Sequence, residues 1–214
     1  MTPARLETET AAPLVPERPT LKSLRAAAAG CTACHLHELG TQTVFGEGAA
    51  NADVVFVGEQ PGDQEDLAGK PFVGPAGRLL DEGLETAGVD RGTVYITNAV
   101  KHFKWQARGK RRIHQRPNAA EMAACRPWLE AELAVLRPRV LVLMGATAAQ
   151  SLLGSKFRVT QMRGVPLDSD LAEHVVATVH PSSILRAPDE EARAQAMRDF
   201  VADLEVVAGL IDAG

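Results

Sequence analysis

Short apolar runs and stretches of helical periodicity alternate along the chain. The runs at 53–58 and 139–145 are continuously apolar after their first residue and end in glycine, which is typical of a strand buried on both faces of a sheet. Shorter apolar segments predict two further strands, at 93–97 and 175–179. Helices are predicted at 21–30, 77–87, 119–136, 146–153 and 189–210. Alternating strands and helices predict an α/β fold, a three-layer α/β/α sandwich with a mostly parallel central sheet, in a single domain over 21–214.

Two segments show neither the strand pattern nor the helical periodicity. Residues 1–20 are rich in Pro, Thr and Glu, so we expect a flexible N-terminal tail there. Residues 98–117 follow neither the strand nor the helix pattern, and we interpret them as a long loop. Long loops in compact domains are usually functional or disordered, which makes this segment a candidate for binding.

Polar residues directly follow three of the predicted strands. They are Gly58-Glu59-Gln60-Pro61-Gly62, Asn98 and His180-Pro181-Ser182-Ser183. The carboxyl ends of parallel strands meet at one edge of an open sheet, and ligands bind at that edge. We therefore expect one site, built there from distant parts of the chain.

Composition favours a single core and a reducing compartment. The chain has 214 residues, of which 45% are hydrophobic, enough for one well-packed core. No apolar stretch is long enough to span a bilayer, and no secretory signal pattern opens the chain. We therefore expect a cytoplasmic protein with no membrane partner, and we take a monomer as the default state.

The charges are distributed unevenly. A net charge of −4 taken alone disfavours a nucleic-acid partner. Between Asp90 and Glu121, however, there are eight basic residues and no acidic one. Such a local positive field can attract phosphates. The alternative is a solvated basic loop, but the segment also carries Phe103, Trp105 and His114, which a solubilising loop does not need.

Three cysteines form a candidate metal site. Cys31 and Cys34 are separated by two residues, and Cys125 lies far along the chain. In a reducing compartment this spacing favours metal or redox chemistry over a disulfide, although buried structural thiols are the alternative. His102 is the fourth ligand that we favour, and spacing does not decide between zinc and an iron–sulfur cluster. The rival fourth ligands are His35 and His37.

Four motifs, taken in order, resemble those of one enzyme family. The motifs are GEQPG at 58–62, KPFVGPAG at 70–77, TNAVK at 97–101 and HPSS at 180–183. They resemble the motif series of the family 4 uracil-DNA glycosylases, and the resemblance runs from Cys31 to the terminal helix. Any one motif alone is weak, whereas the four in order are specific. The resemblance implies the uracil-DNA glycosylase fold, uracil-containing DNA as partner and free uracil as product.

Three features depart from the family 4 pattern. Gln60 stands where the family generally has a small residue, His102 stands where it has a fourth Cys, and the segment GKRRIH at 109–114 is inserted. All three resemble UdgX, a branch in which the inserted histidine captures the deoxyribose carbon after uracil leaves. That resemblance implies a covalent protein–DNA adduct through His114. It also implies a 4Fe–4S cluster held by Cys31, Cys34, His102 and Cys125.

The chemistry of uracil excision calls for the same types of residue. The nucleotide must be flipped out of the base stack, and Phe72 offers a flat face on which uracil can stack. The amide of Asn98 can pair with O4 and N3–H of the base. His180 can donate a hydrogen bond to O2 of the leaving uracil. Glu59 can stabilise the positively charged sugar or orient the nucleophile.

The inserted histidine gives the sharpest hypothesis. A neutral imidazole is a good nucleophile, and the ordinary histidine pKa of about 6.5 leaves most of His114 neutral at neutral pH. Without the resemblance, a lone histidine in a basic loop is more often a phosphate contact. We expect Gln60 to orient Glu59 or His114, and Arg112 to hold the loop or pair with a phosphate. The remaining expected contacts are Gly58 and Ser182 with the substrate, and Lys110, Arg111 and Ser183 with the DNA backbone.

Three other functions stay open at this point. An ordinary family 4 glycosylase would complete the reaction with water, and His114 would only contact DNA. A non-catalytic iron–sulfur DNA-binding module would have a vestigial pocket, although the presence of Glu59, Asn98 and His180 counts against it. A zinc-dependent hydrolase of small substrates would leave the basic segment and Phe72 unexplained.

Overall fold

A computed structural model describes residues 10–213 of the chain. The strands are β1 (Glu47–Gly48), β2 (Val54–Gly58), β3 (Tyr95–Asn98), β4 (Trp105–Arg108), β5 (Arg111–His114), β6 (Val140–Met144), β7 (Pro166–Leu167) and β8 (His174–Thr178). The helices are α1 (Leu21–Ala28), α2 (Leu36–Leu39), α3 (Asp63–Ala68), α4 (Pro75–Thr86), α5 (Ala119–Leu136), α6 (Ala146–Leu153), α7 (Val159–Met162), α8 (Pro181–Leu185) and α9 (Glu190–Asp212). None of these described helices is both long and apolar enough to cross a membrane.

The main sheet has the strand order β1-β3-β2-β6-β8-β7. Its four central strands are parallel, and the short edge strands β1 and β7 run antiparallel to their neighbours. Along β2, Val54 and Phe56 face one hydrophobic core, and Val55 and Val57 face the other. Helices α4, α8 and α9 cover the first face of the sheet, and α5 and α6 cover the second. The predicted α/β sandwich with a mostly parallel sheet is confirmed.

Part of the expected N-terminal tail packs on the domain. Ala11 is fully buried, and its N–H donates a hydrogen bond to the C=O of Ala124 in α5 (2.9 Å). It joins the apolar cluster that contains Leu24 of α1 and Trp128 of α5. The expectation of a flexible tail therefore does not hold for residues 10–20, because this stretch covers apolar surface of α1 and α5. Residues 1–9 lie outside the described residues.

The segment that we interpreted as a loop contains a β-hairpin. Strands β4 and β5 pair antiparallel, with Trp105 opposite His114 and Arg108 opposite Arg111. The two-residue turn begins with Gly109 at a φ of 59°, as in a type II′ turn, which favours glycine at its first position. The interpretation of 98–117 as a loop throughout is wrong. Most of the hairpin side chains are exposed, so the sequence lacks the apolar alternation that marks a half-buried strand.

A buried ion pair holds the chain where β3 ends. The side chains of Lys101 and Glu132 are 1% and 0% exposed. The Lys101 ammonium donates to the Glu132 carboxylate, to Oγ1 of Thr97 (2.7 Å) and to the backbone C=O of Asn98 (2.8 Å). The other oxygen of Glu132 accepts a hydrogen bond from the hydroxyl of Tyr95 (2.8 Å). Both charges are thus paired and hydrogen-bonded, which a buried pair needs if its attraction is to offset the loss of hydration.

We predict that Lys101→Met lowers the free energy of unfolding by about 3–5 kcal/mol, because it leaves the Glu132 carboxylate buried without its cation. Urea unfolding followed by circular dichroism measures the loss. The matched control is Lys70→Met, since Lys70 also pairs with a carboxylate, that of Glu47 at 3.5 Å, but its side chain is 61% exposed. An exposed pair contributes about 0–1 kcal/mol. Equal losses in the two variants would contradict the stabilising role of the buried pair.

Candidate active site

The polar segments that follow β2, β3 and β8 meet at one edge of the main sheet. Together with the end of β5 and the start of α6, they line a cavity of about 740 Å³. Its lining includes eight residues that the sequence singled out: Glu59, Gln60, Phe72, Asn98, His114, His180, Ser182 and Ser183. Residues that are far apart in the chain thus share one cavity, because parallel strands deliver their carboxyl ends to the same edge.

Gly58, Phe72 and Asn98 form a flat slot in this cavity. A Cβ atom on Gly58 would collide with Oδ1 of Asn98 and would lie 2.7 Å from Cζ of Phe72. Glycine is therefore required for the amide and the ring to approach each other. Within residues 10–213, Oδ1 of Asn98 is buried and has no hydrogen-bond partner. A planar ligand with an N–H group at its edge would satisfy this acceptor while it stacks on the ring.

Phe72 has a left-handed backbone. Its φ is 54°, a conformation that costs a bulky residue about 1–3 kcal/mol and that persists where the surroundings enforce it. The N–H of Gly74 donates to the carboxylate of buried Glu65 (2.8 Å), which holds the turn after Phe72. Gly77 permits the close approach of the Phe72 carbonyl, with which any Cβ would collide. The ring consequently lies 5.7 Å from that of His180, centroid to centroid.

His180 is kept neutral and in one tautomer. The pKa of His180 is lowered to about 4, chiefly by burial and to a smaller extent by the nearby His114 and Arg186. The backbone N–H of Ser182 donates to Nδ1 of His180 (3.2 Å). Because Nδ1 accepts this bond, the proton of the neutral ring is on Nε2. His180 can therefore present an N–H donor to a ligand in the cavity, and Ser182, which helps to fix that donor, also lines the cavity.

Glu59 lies between a buried hydroxyl group and an exposed imidazole. The hydroxyl of Thr147 donates to Oε2 of Glu59, and Oε1 of Glu59 is 3.5 Å from Nε2 of His114. The side chains of Glu59 and His114 are 21% and 49% exposed. Partial burial lowers the pKa of His114, a shift that Glu59 opposes and Arg186 reinforces. The structure thus places an imidazole favoured in its neutral form beside a carboxylate at the mouth of the cavity.

Gln60 closes the base of the hairpin. Its side-chain amide donates to the C=O of Lys104 (3.2 Å) and to that of Gln115 (3.0 Å), and its Oε1 accepts from the N–H of Lys104 (3.2 Å). These two residues immediately precede β4 and follow β5. Of the two roles that we expected for Gln60, these contacts support the placement of His114.

Arg112 anchors the hairpin to α3. Its Nε lies 2.5 Å from Oδ1 of Asp63, and its Nη1 lies 2.6 Å from Oδ2 of Asp66. The guanidinium also lies over the rings of Phe103 and Trp105, at 5.4 Å and 5.6 Å from their centroids. Two carboxylates thus already pair with Arg112, so its contacts support a role in holding the hairpin rather than in binding a phosphate.

Of the expected contacts with the DNA backbone, Ser183 lines the cavity, and Lys110 and Arg111 are not among its lining residues. Lys110 and Arg111 are exposed at the tip of the hairpin, and Ser183 is exposed on the rim of the cavity. Arg116, one of the eight basic residues between Asp90 and Glu121, also lines the cavity, as does Arg186, which sequence reasoning did not single out. Arg186 directly follows α8, and its place just after the HPSS motif is the signal that could have identified it.

Comparison with known proteins identifies the family. The sequence model of the Uracil DNA glycosylase superfamily matches residues 45–205. The chain is 41% identical to the type-4 uracil-DNA glycosylase of Thermotoga maritima over 171 residues, which are 79% of this chain and 85% of that protein. It is 35% identical to the type-4 enzyme of Pyrobaculum aerophilum over 175 residues, 78% and 86% of the two chains. The chain belongs to the uracil-DNA glycosylase superfamily.

The range matched by the uracil-DNA glycosylase superfamily contains all of the cavity residues named above, from Glu59 to Arg186. It begins after Cys31 and Cys34. The alignment with the type-4 enzyme of Archaeoglobus fulgidus, at 37% identity, covers 74% of this chain and 79% of that protein. The cavity thus lies within the range that matches the superfamily model, and the cysteine pair lies ahead of that range.

The three cysteines lie in one apolar cluster with α1, α2 and α5. The indole N–H of Trp128 donates to Sγ of Cys31 (3.3 Å), and the backbone N–H of Lys101 donates to Sγ of Cys125 (3.2 Å). The pKa of Cys125 is raised to about 12, chiefly by burial; Lys101 opposes this shift, and the charges of Cys34 and Cys31 contribute to it. The three sulfur atoms are therefore near enough to affect one another's ionisation.

His102 directly follows the residue whose amide contacts Cys125. It is 5% exposed, and burial lowers its pKa to about 4, so the imidazole is in the neutral form that binds metals. Its Nε2 lies 3.0 Å from Oγ1 of Thr43. Within residues 10–213, no three His, Cys, Asp or Glu side chains lie close enough together to hold a single metal ion. The rival ligand His35 contacts Glu121, and His37 contacts the backbone C=O of Cys34.

We predict that the ring of His180 titrates with a pKa of about 4 and that Nε2 carries its proton at neutral pH. NMR of histidine-labelled protein measures both properties. Arg186→Gln should raise this pKa toward the ordinary value of about 6.5, because it removes a positive charge that disfavours the imidazolium. Arg126→Gln, on the exposed face of α5, should leave it unchanged. A ring that titrates near 6.5 in the unaltered protein would refute the assignment.

Proposed function

We propose that the chain excises uracil from DNA and then becomes covalently attached to the deoxyribose through His114. The observation that carries this proposal is the pair of Glu59 and His114 at the mouth of the cavity, with their nearest N and O atoms 3.5 Å apart. Superfamily membership supports uracil excision. The position of an exposed, neutral imidazole beside the carboxylate supports capture of the sugar.

The slot formed by Gly58, Phe72 and Asn98 suits uracil in polarity. A flipped base would stack on the ring of Phe72. The unpaired Oδ1 of Asn98 would accept the N3–H of uracil, and the amide NH₂ would donate to O4. Cytosine has an acceptor at N3 and a donor, its amino group, at C4. In the same orientation, the amide of Asn98 would therefore place its oxygen against the acceptor and its NH₂ against the donor. The slot therefore supports selection of uracil over cytosine.

Cleavage breaks the bond between C1′ of the sugar and N1 of uracil, and both electrons leave with the base. His180, with its proton on Nε2, would donate to O2 of the departing uracil, where negative charge develops. Loss of one such donor typically lowers a rate by about 10²–10³-fold. The Glu59 carboxylate would stabilise the positive charge that develops on the sugar. Both residues act on charges that exist only during bond cleavage.

Capture uses a lone pair of the His114 imidazole, which forms a bond to C1′ in place of the broken one. The resulting imidazolium releases its N–H proton, and the uracil anion takes up one proton. Gln60 and Arg112 hold the hairpin that carries His114, so the nucleophile is in place when the sugar cation forms. Because the new bond is not hydrolysed, each protein molecule would react once.

A second candidate function is an ordinary hydrolytic glycosylase. It is favoured by the 41% identity to a type-4 uracil-DNA glycosylase. In that case a water molecule held by Glu59 would attack C1′, and His114 would only contact the substrate. The two functions differ in product: one leaves a covalent adduct, and the other releases abasic DNA.

We further propose that Cys31, Cys34, His102 and Cys125 hold a 4Fe–4S cluster. The hydrogen bonds from Trp128 and Lys101 to two of the sulfurs are of the kind that stabilise thiolate ligands. Each ligand of a cubane cluster binds a different iron, so the four donors need not converge on one ion. When bound, the cluster would supply bonds that join α1 and α2 to α5.

We predict that His114→Ser abolishes the adduct yet retains uracil release, since the smaller side chain leaves room for water. A denaturing gel of the protein mixed with a uracil-containing single-stranded oligonucleotide measures both outcomes, with a thymine oligonucleotide as control. His174→Ser, at the start of β8, should still form the adduct. An adduct that survives His114→Ser would require another nucleophile. Abasic DNA without any adduct from the unaltered protein would establish the hydrolytic function instead.

We predict that protein purified without oxygen is coloured and carries about four iron and about four sulfide per chain. Cys125→Ser should lose most of the iron because it removes a thiolate ligand. Elemental analysis and visible absorption measure both. Colourless protein that contains one zinc ion per chain would rule out the cluster.

A further inference from the structure

We propose that Thr147 is a positioning residue that orients Glu59 toward His114 and thereby sets the choice between histidine and water as the nucleophile. This inference rests on the proposed function, because it concerns how Glu59 serves the capture step. Thr147 belongs to none of the motifs that carry the family resemblance.

The two oxygens of the Glu59 carboxylate have different partners. A threonine hydroxyl has a single proton, and that of Thr147 is donated to Oε2 of Glu59. Oε1, the other oxygen, faces His114 at 3.5 Å from Nε2. The carboxylate is therefore held at one end by a buried donor and is presented at its other end to the nucleophile. Thr147 itself is only 3% exposed, so solvent does not compete for its proton.

Thr147 lies where the start of α6 packs against the loop that carries His180. It lies in the first turn of α6, which begins after Gly145. Gly145 has a φ of 90°, and a Cβ there would lie 2.9 Å from Cβ of His180. The start of α6 is thus packed directly against the loop that carries His180. This contact fixes the hydroxyl of Thr147 relative to both sides of the scissile bond, the base side at His180 and the sugar side at Glu59.

The orientation of the Glu59 carboxylate depends on the hydroxyl of Thr147. The terminal torsion of a glutamate is broad and has no strong preference of its own. A valine at position 147 would keep the shape of threonine but offer no proton, so the carboxylate of Glu59 would be free to turn. Because the side chain of Glu59 is 21% exposed, water can reach it. The carboxylate would then hold water as readily as it faces His114.

The test compares Thr147→Val with Thr147→Ser in single-turnover reactions on uracil-containing single-stranded DNA. The measured quantities are the rate of uracil release and the ratio of covalent adduct to abasic DNA. We expect Thr147→Val to lower the ratio at least tenfold, with a smaller effect on uracil release. Thr147→Ser should restore the ratio to within about threefold, because it restores the proton.

Thr178→Val is the matched control. It removes another buried hydroxyl that donates to a carboxylate, that of Asp203, and it should leave the ratio unchanged. If Thr147→Val does not fold, Thr147→Ala tests the same loss of the proton in a smaller side chain. An unchanged ratio in the variant that folds overturns the inference, and so does an equal fall in uracil release and adduct. If the unaltered protein forms no adduct at all, the proposed capture fails first and this inference fails with it.

Discussion

The buried charge pair between Lys101 and Glu132 is the constraint on which the two functional regions of the molecule depend. The Lys101 ammonium bonds the C=O of Asn98, and the backbone N–H of the same residue bonds Sγ of Cys125. One residue therefore connects the amide that lines the cavity to a candidate cluster ligand. Unpaired charges in a protein interior cost several kcal/mol, so the chain between Asn98 and Lys101 cannot rearrange without separating the pair.

The hairpin that carries His114 is held by polar contacts rather than by burial. An isolated two-stranded hairpin is at best marginally stable in water, and most of the side chains of this one are exposed. Its position depends on three polar attachments: the amide of Gln60, the guanidinium of Arg112 and the indole N–H of Trp105, which donates to the C=O of Leu39 (2.8 Å). Gln60 and Arg112, which a motif comparison would assign to the reaction, thus hold the hairpin that carries His114, the proposed nucleophile.

Some elements of this structure leave a pattern of apolar residues in the sequence and others leave none, and only the former could be predicted. Strands β2 and β6 were predictable because burial on both faces leaves an uninterrupted apolar run, and the polar residues after β2, β3 and β8 marked the edge of the sheet. The hairpin was not predictable in the same way, since strands hydrated on both faces carry no apolar alternation. The left-handed backbone of Phe72 depends on Glu65 and Gly77, which are close to it only after folding. Thr147 lies in an alanine-rich helix whose sequence contains no sign of its contact with Glu59.

The type II′ turn at Gly109 limits the lengths that the hairpin can have. The turn pairs Trp105 with His114, and successive side chains of a strand point to opposite faces. If the two-residue turn is kept, one extra residue between Arg108 and Arg111 shifts the pairing by one step and turns the imidazole to the face away from Glu59, even if every existing residue stays. Two extra residues would preserve the facing of every side chain and only lengthen the ribbon. Related chains that keep this chemistry and this two-residue turn should therefore differ in the length of this segment by even numbers of residues. Whether that length is odd or even is thus informative, as is the composition of the segment.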